Sequence, residues 1–213
     1  MEKRKVIEDI KYKIITQYYK PGEAMKEKDL TENYNIGRTP LREVLINLEN
    51  EGFVNIISKQ GTFVSQVDIH EFKNTIKIRK VLEKLALELA IDIINSDQLN
   101  YLSEILEKIK KITENDPYNF EEYWKYEALF HNTIYKSTNN HLLHEFLKKL
   151  QLLSVRFWYF LTLNERKKIS KKEYDSLSSL YEAIKDKNKL NANKIIIEHI
   201  DDFSLLGNIL IGR

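Results

Sequence analysis

The chain of 213 residues contains no cysteine. That excludes a disulfide framework and metal sites built on thiolates, and it fits a reducing compartment. No run of roughly 18 apolar residues occurs, so no membrane-spanning helix is expected. The opening MEKRKVIEDIKYK is charged and amphipathic and lacks the apolar core of a secretory signal. These absences lead to an expectation of a soluble, cytoplasmic protein with no membrane partner. Neither sign of charge dominates: the formal net charge is +2, and residues 1–66 carry 11 Lys/Arg against 10 Asp/Glu. A basic surface for binding polyanions must therefore be local.

Turn-forming residues are scarce and unevenly spread. There are six glycines and three prolines, and Pro21, Gly22, Gly37, Pro40, Gly52 and Gly61 all fall between residues 21 and 61. The chain turns most often there. From about residue 70 onward the pattern is helical, as in HEFKNTIKIRKVLEKLALELAIDII, where Ile76, Arg79, Val81, Leu82, Leu85, Leu89 and Ile93 largely keep helical spacing. Helices are predicted near 70–95, 97–114, 118–137, 140–162, 171–186 and 189–211. The fold class expected is mainly α. A turn-rich amino-terminal segment (residues 1–66) leads through a linker in QVDIHEF (67–72) to an all-α bundle (73–213).

The stretch IGRTPLREVLINLENEGFV (36–54) carries the first functional signal. Proline lacks the amide that a helix interior needs, so Pro40 fits only if the helix begins near Arg38, capped by Gly37 or Thr39. Leu41, Val44, Leu45 and Leu48 then form its buried face. KEKDLTENY (26–34) supplies a short helix before it and NIG the tight connection, which is helix-turn-helix spacing. An opening helix over 3–19 buries Val6, Ile7, Ile10, Ile14 and Ile15. Arg38, Thr39 and Arg42 stand at the exposed amino-terminal end of the second helix. Cations there oppose the helix dipole by roughly 0.3–1 kcal/mol each, a sign that an external anion reverses. Arginine also suits bidentate contact with guanine or phosphate. FVNII and TFVSQ, around SKQG, read as a hairpin with a small, basic tip.

YKPGEAM, KEKDLTENYNIGRTPLREVLINLENEGFV and KQGTFV together resemble the winged helix-turn-helix of GntR-type bacterial transcription regulators. The resemblance implies DNA contacts from Lys28, Arg38, Thr39 and Arg42, with Lys59, Gln60 and Gly61 at the wing. Lys28 stands where relatives carry arginine, and a point charge implies a phosphate contact there.

IRKVLEKLALELA (78–90) and EALFHNTIYKSTNNHLL (127–143) resemble the FCD-type effector domain of the FadR-like branch of that family. In relatives an aspartate and a histidine four residues later, with two further histidines, ring a divalent metal that helps hold a small carboxylate. Carried over, these positions are Glu127, His131 and His199, and the remaining one falls on Leu177, which cannot ligate. Two histidines and a carboxylate suit zinc or nickel, as well as manganese or iron. A metal-free pocket with His131 and His199 as hydrogen-bonded core residues stays open beside it. Arg156, a charge inside QLLSVRFWYFLTL, is placed by the resemblance where an arginine pairs with the effector carboxylate, and with His131 and His199 it makes the expected effector-binding set; a side chain that reaches the surface, or an internal ion pair with Glu127 or another acid, stays open beside it.

The resemblance implies a ligand-responsive DNA-binding regulator. It would be a repressor acting as a homodimer on an inverted-repeat operator in double-stranded DNA, with a small-molecule carboxylate effector. A DNA-binding dimer without an effector is the alternative. A metal-dependent enzyme built on Glu127, His131 and His199 would leave the winged module without a role.

Overall fold

In the computed structural model the backbone is described for residues 2–115, 118–161 and 166–211, and side chains for the same residues apart from 160–169 and 203–213. The chain divides into two units. One comprises residues 1–69 with 155–160, the other residues 70–154 with 161–213.

The first unit opens with α1 (Lys3–Ile15), followed by β1 (Ala24–Met25), α2 (Glu27–Tyr34), α3 (Arg38–Asn50), β2 (Val54–Ile57) and β3 (Gly61–Val64). Val6, Ile10, Ile14 and Ile15 of α1 and Leu41, Val44, Leu45 and Leu48 of α3 are all buried. A fully buried aliphatic side chain of this kind contributes roughly 1.5–3 kcal/mol. The opening helix ends at Ile15, short of the expected residue 19, because Gln17 takes a left-handed φ of 60°. Asn35, in the left-handed region at φ 49°, ends α2 and turns the chain into α3.

Gly37 is the N-cap of α3, and the Leu41 amide donates to its carbonyl at 3.1 Å. Pro40 thus sits in the first turn, where its missing amide has no partner to lose. The wing is a three-stranded antiparallel sheet in the order β1-β3-β2. The hairpin pairs Val54 with Val64 and Ile57 with Gly61. The two-residue β1 pairs Ala24 with Phe63 and Met25 with Thr62. That third strand was not expected, since two residues carry no periodicity to detect.

The second unit is helical: α4 (Ile69–Ile93), α5 (Ser96–Glu114), α6 (Phe120–Ser137), most of α7 (His141–Leu161), α8 (Arg166–Lys185) and α9 (Lys189–Ile211). The predicted limit of the fourth of these helices, residue 162, lies outside the described residues. The next helix starts at Arg166, before the expected 171, and α4 starts at Ile69, inside the 67–72 segment. A full capping box between Asn95 and Gln98 starts α5.

The apolar pattern of α4 resolves into two faces. Phe72, Ile76, Arg79, Glu83, Ala86, Leu87 and Ala90 are buried, and Leu82 and Ala86 pack with Tyr135, Leu143 and Leu147. Val81, Leu85, Leu89 and Ile93, which the sequence pattern groups with the buried residues, are exposed. No described helix is long and apolar enough to cross a membrane.

Candidate nucleic-acid interface and buried charge cluster

Arg38, Thr39 and Arg42 are all exposed on the first two turns of α3. The helix has no acidic residue in its first turn and no side chain capping its amino terminus. Glu43, the nearest carboxylate along the helix, is paired with Lys3 of α1. The outer face of α3 therefore presents guanidinium groups that have no ion pair among the described residues, beside free helix amides, an arrangement that favours an anion. Lys28 on α2 is exposed, with Glu32 4.0 Å away, too far to hold its ammonium firmly.

Lys59, Gln60 and Gly61 are exposed at the wing tip. Lys59 at φ 64° and Gly61 at φ 113° both take left-handed backbone, while the Gln60 amide donates to the Ile57 carbonyl. No atom lies within 4 Å of where a Gly61 side chain would begin. Glycine is demanded there by backbone conformation alone.

In the helical unit, Glu127 and His131 on α6 and His199 on α9 are buried together, their donor atoms all within 4.8 Å of one another. The spacing of Glu127 and His131 puts both on one face of α6. His131 Nε2 lies 3.3 Å from Glu127 Oε1, and its Nδ1 is 3.7 Å from Glu83 Oε2. Neither contact is aligned as a hydrogen bond. Two ligands on a tetrahedral ion, each about 2.0–2.1 Å from it, lie about 3.4 Å apart, which the Glu127–His131 pair matches; the residue types suit a divalent metal, and His199 would have to draw in for all three to hold one ion. The His131 and His199 rings are 5.5 Å apart.

Around this trio is a buried charge network that sequence reading did not single out. The Arg79 guanidinium donates to Glu83 Oε1 at 2.8 Å, and Tyr135 OH donates to the same oxygen at 2.5 Å. Gln151 donates to Glu127 Oε2 at 3.4 Å. Burial works against the Glu83 carboxylate, but Arg79, His131 and Tyr135 outweigh it and hold its pKa at about 2. Burial likewise opposes a charged His131, yet the carboxylates of Glu127 and Glu83 raise its pKa to about 9. His199 is pushed well below the usual imidazole value by burial and by the cations His131 and Arg79. Neutral imidazole is the form that binds a metal.

Leu177, at the position where a fourth ligand was sought, is fully buried on α8. One turn earlier, Glu173 accepts a hydrogen bond from Tyr123 OH at 2.8 Å. Burial first, then the Glu127 carboxylate, raise the pKa of Glu173 to about 8, so this side chain is largely a neutral acid at pH 7. The Arg79/Glu83 pair was recoverable in principle, as opposite charges at i and i+4 within an apolar stretch of α4. Glu173 carried no such signal.

Arg156 lies in the part of α7 that belongs to the first unit. Its guanidinium donates to the backbone carbonyls of Gly52, at 3.3 Å, and Ser65, and lies 6.0 Å from the Phe53 ring centroid. The arginine that the structure sets beside the carboxylate partners of His131 is Arg79. His141 is exposed, and His144 bonds Asn132 at 2.7 Å, so both lie apart from the trio.

Comparison with known proteins agrees with this layout. Residues 2–64 match the bacterial regulatory proteins of the gntR family and residues 74–202 match the FCD domain. The HTH-type transcriptional regulator YdhC of Bacillus subtilis (strain 168) is 27% identical over 194 residues, covering 90% of this chain and 84% of its own. The gluconate operon transcriptional repressor of Bacillus licheniformis is 25% identical over 202 residues, covering 91% of this chain and 80% of its own. Among solved structures, McbR/YncC of E. coli superposes with a TM-score of 0.85 at 24% identity, over 96% of each chain, and shares the fold. The relatives are transcription regulators, and so the catalytic reading of the histidine cluster falls away. With a gntR-type DNA-binding module followed by an FCD domain over more than half its length, the chain belongs to the FCD-containing transcription regulators of the GntR family.

Proposed function

We propose that this DNA-binding regulator is a ligand-responsive repressor that acts as a homodimer on an inverted-repeat operator. Residues 1–66 would bind DNA, 67–72 connect, and 73–213 bind the effector and dimerise. Arg38, Thr39 and Arg42 read base edges in the major groove, Lys28 holds phosphate, and Lys59, Gln60 and Gly61 engage DNA from the wing. The observation that carries the ligand-responsive part is the buried cluster of Glu127, His131 and His199 with Arg79 and Glu83 behind it. So many ionisable groups in one interior are costly unless a function retains them.

A divalent metal such as zinc or nickel would be held by Glu127, His131 and His199 and would offer an effector carboxylate a cation to bind. Without metal, His131 as imidazolium and the Arg79 guanidinium are the cations that remain near the pocket for an acidic ligand. The dimer is supported by α4: Ile78, Val81, Leu85, Leu89 and Ile93 recur every three or four residues and are between 37% and 68% exposed. An apolar stripe of that length along one helix is a surface that association would cover. Repression is what the name of the Bacillus licheniformis relative describes for that protein.

Selection from random duplex DNA tests the reading, with native mass spectrometry of the same preparation. Inverted-repeat sites, a dimer mass and a co-purified acidic small molecule are expected. Asymmetric sites or a monomer bound to DNA would overturn it.

A further inference from the structure

The outer face of α3 is not purely polar. Ile46, one turn beyond Arg42, is 50% exposed. Ile56 and Ile57 of the wing are 39% and 42% exposed. Arg42, Ile46, Ile56, Ile57 and Lys59, with the Glu27 carboxylate, line one groove of about 300 Å³ within the first unit. A single exposed isoleucine needs no explanation, but three on one groove, flanked by an arginine and a lysine, form a defined surface.

Successive helix residues turn by about 100°, so Thr39, Arg42, Glu43 and Ile46 share the side of α3 opposite its buried Leu41, Val44 and Leu48. Glu43 is taken up by Lys3. What this side offers a partner is therefore one cationic fork, a hydroxyl and one branched apolar group, with Arg38 at its edge. The occupant that matches is duplex DNA, whose major groove combines anionic walls with a single kind of apolar group, the C5 methyl of thymine. Four residues of helix advance about 6 Å, and stacked base pairs repeat every 3.4 Å or so. Ile46 thus falls within about two base pairs of the one Arg42 meets.

We propose that Ile46 is a specificity-determining residue that reads a thymine C5 methyl in each operator half-site, one or two base pairs from the base contacted by Arg42, with Ile56 and Ile57 extending the apolar surface. The inference rests on the proposed docking of α3 in the major groove. It adds an apolar contact to that docking and fixes a base that hydrogen bonding alone leaves open.

The test uses the full-length protein and its selected operator, with each thymine replaced in turn by deoxyuridine, which lacks only the methyl. Binding is followed by fluorescence anisotropy. One thymine per half-site should weaken binding about fourfold when its methyl is removed, the scale of one buried methyl group. Ile46→Ala should lose a similar factor on the natural operator and become indifferent to deoxyuridine there. Ile46→Gln should move that position towards adenine, which glutamine contacts through N6 and N7. If no methyl removal alters binding, or if the methyl effect survives unchanged in Ile46→Ala, the proposal is overturned. Arg42→Ala separates this failure from that of the docking itself. An operator preference lost in Arg42→Ala but insensitive to every methyl sinks Ile46 alone, whereas a preference unchanged in Arg42→Ala sinks both.

Discussion

The outer face of α3 with the wing tip, and the core of the helical unit, handle charge in opposite ways. In the first, Arg38, Arg42 and Lys59 are exposed, and the fold spends nothing on neutralising them. In the second, Arg79, Glu83, Glu127 and His131 are 0–4% exposed and lean on one another. Exposed charge is nearly free for the fold and is set by what it will meet. Buried charge is costly to assemble, so removing one member damages the fold before it damages any ligand contact. A mutation that confuses these two behaviours would break the contrast.

The largest effect is expected from Arg79→Met, which leaves Glu83 buried without its guanidinium. Urea unfolding should show a loss of about 3–5 kcal/mol. Arg42→Met, on the exposed face of α3, should change the same unfolding free energy by no more than about 0.5 kcal/mol. Equal stabilities for the two variants would show that the buried network is not holding the helical unit together.

Glu173 sharpens the comparison through pH. Its folded pKa, about 8, lies above the ordinary 4.5, so the folded state holds a proton that the unfolded state releases. Its effect on stability is therefore unfavourable and grows as pH rises from about 4.5 to about 8, then levels off. Glu83 has the opposite sign. Its pKa of about 2 stabilises the fold above 4.5, and that contribution is lost as pH falls towards 2. Glu173→Gln keeps an acceptor for Tyr123 without an ionising group. Its unfolding free energy should rise relative to the native protein between about pH 5 and about pH 9, by a few kcal/mol at most. A constant difference across that range would mean that Glu173 ionises in the fold as easily as in water.

Smaller effects separate reading from anchoring. Arg42→Ala should relax sequence preference by about 1–3 kcal/mol per half-site. Lys28→Ala should weaken binding to all duplexes alike and reduce the salt slope by roughly one. Equal losses on operator and random DNA for Arg42→Ala would make it a phosphate contact. The last comparison is in metal retention. After dialysis against a chelator, Leu177→His should keep zinc better than the native protein, on the order of tenfold or about 1.4 kcal/mol, and His131→Ala should keep none. Equal retention of zinc by all three would place the ligands elsewhere, and no zinc on any of them would make the pocket metal-free.

The same contrast explains what the sequence made legible. Pro40 and Gly37 fix the start of α3 through local backbone chemistry, and Leu41, Val44, Leu45 and Leu48 mark its buried face by period alone. Nothing from outside the segment is needed. The exposed and buried faces of α4 could not be sorted in that way, because Ile76 and Val81 are equally apolar and only the packing of Leu82 and Ala86 against Leu143 and Leu147 assigns the buried side. Glu127, His131 and His199 were reached through resemblance. Glu173 escaped because Tyr123, its hydrogen-bonding partner, lies 50 positions away. Arg156 shows the converse, since an arginine in an apolar run can be satisfied by the backbone carbonyls of Gly52 and Ser65 as well as by a ligand.

Glu49 has a consequence for how the protein behaves in company. β2 is an outer strand of the wing sheet, and an outer strand offers its free amides as a template on which another chain can extend the sheet. Glu49 Oε1 accepts the Ile56 amide at 2.7 Å. A strand arriving at this edge would have to displace a carboxylate to reach that amide and would meet negative charge as it did so. Beside it stand Ile56 and Ile57, the kind of β-branched pair that feeds cross-β aggregation when left open. The wing can thus keep isoleucines on its surface for another macromolecule without inviting a second copy of itself to stack there.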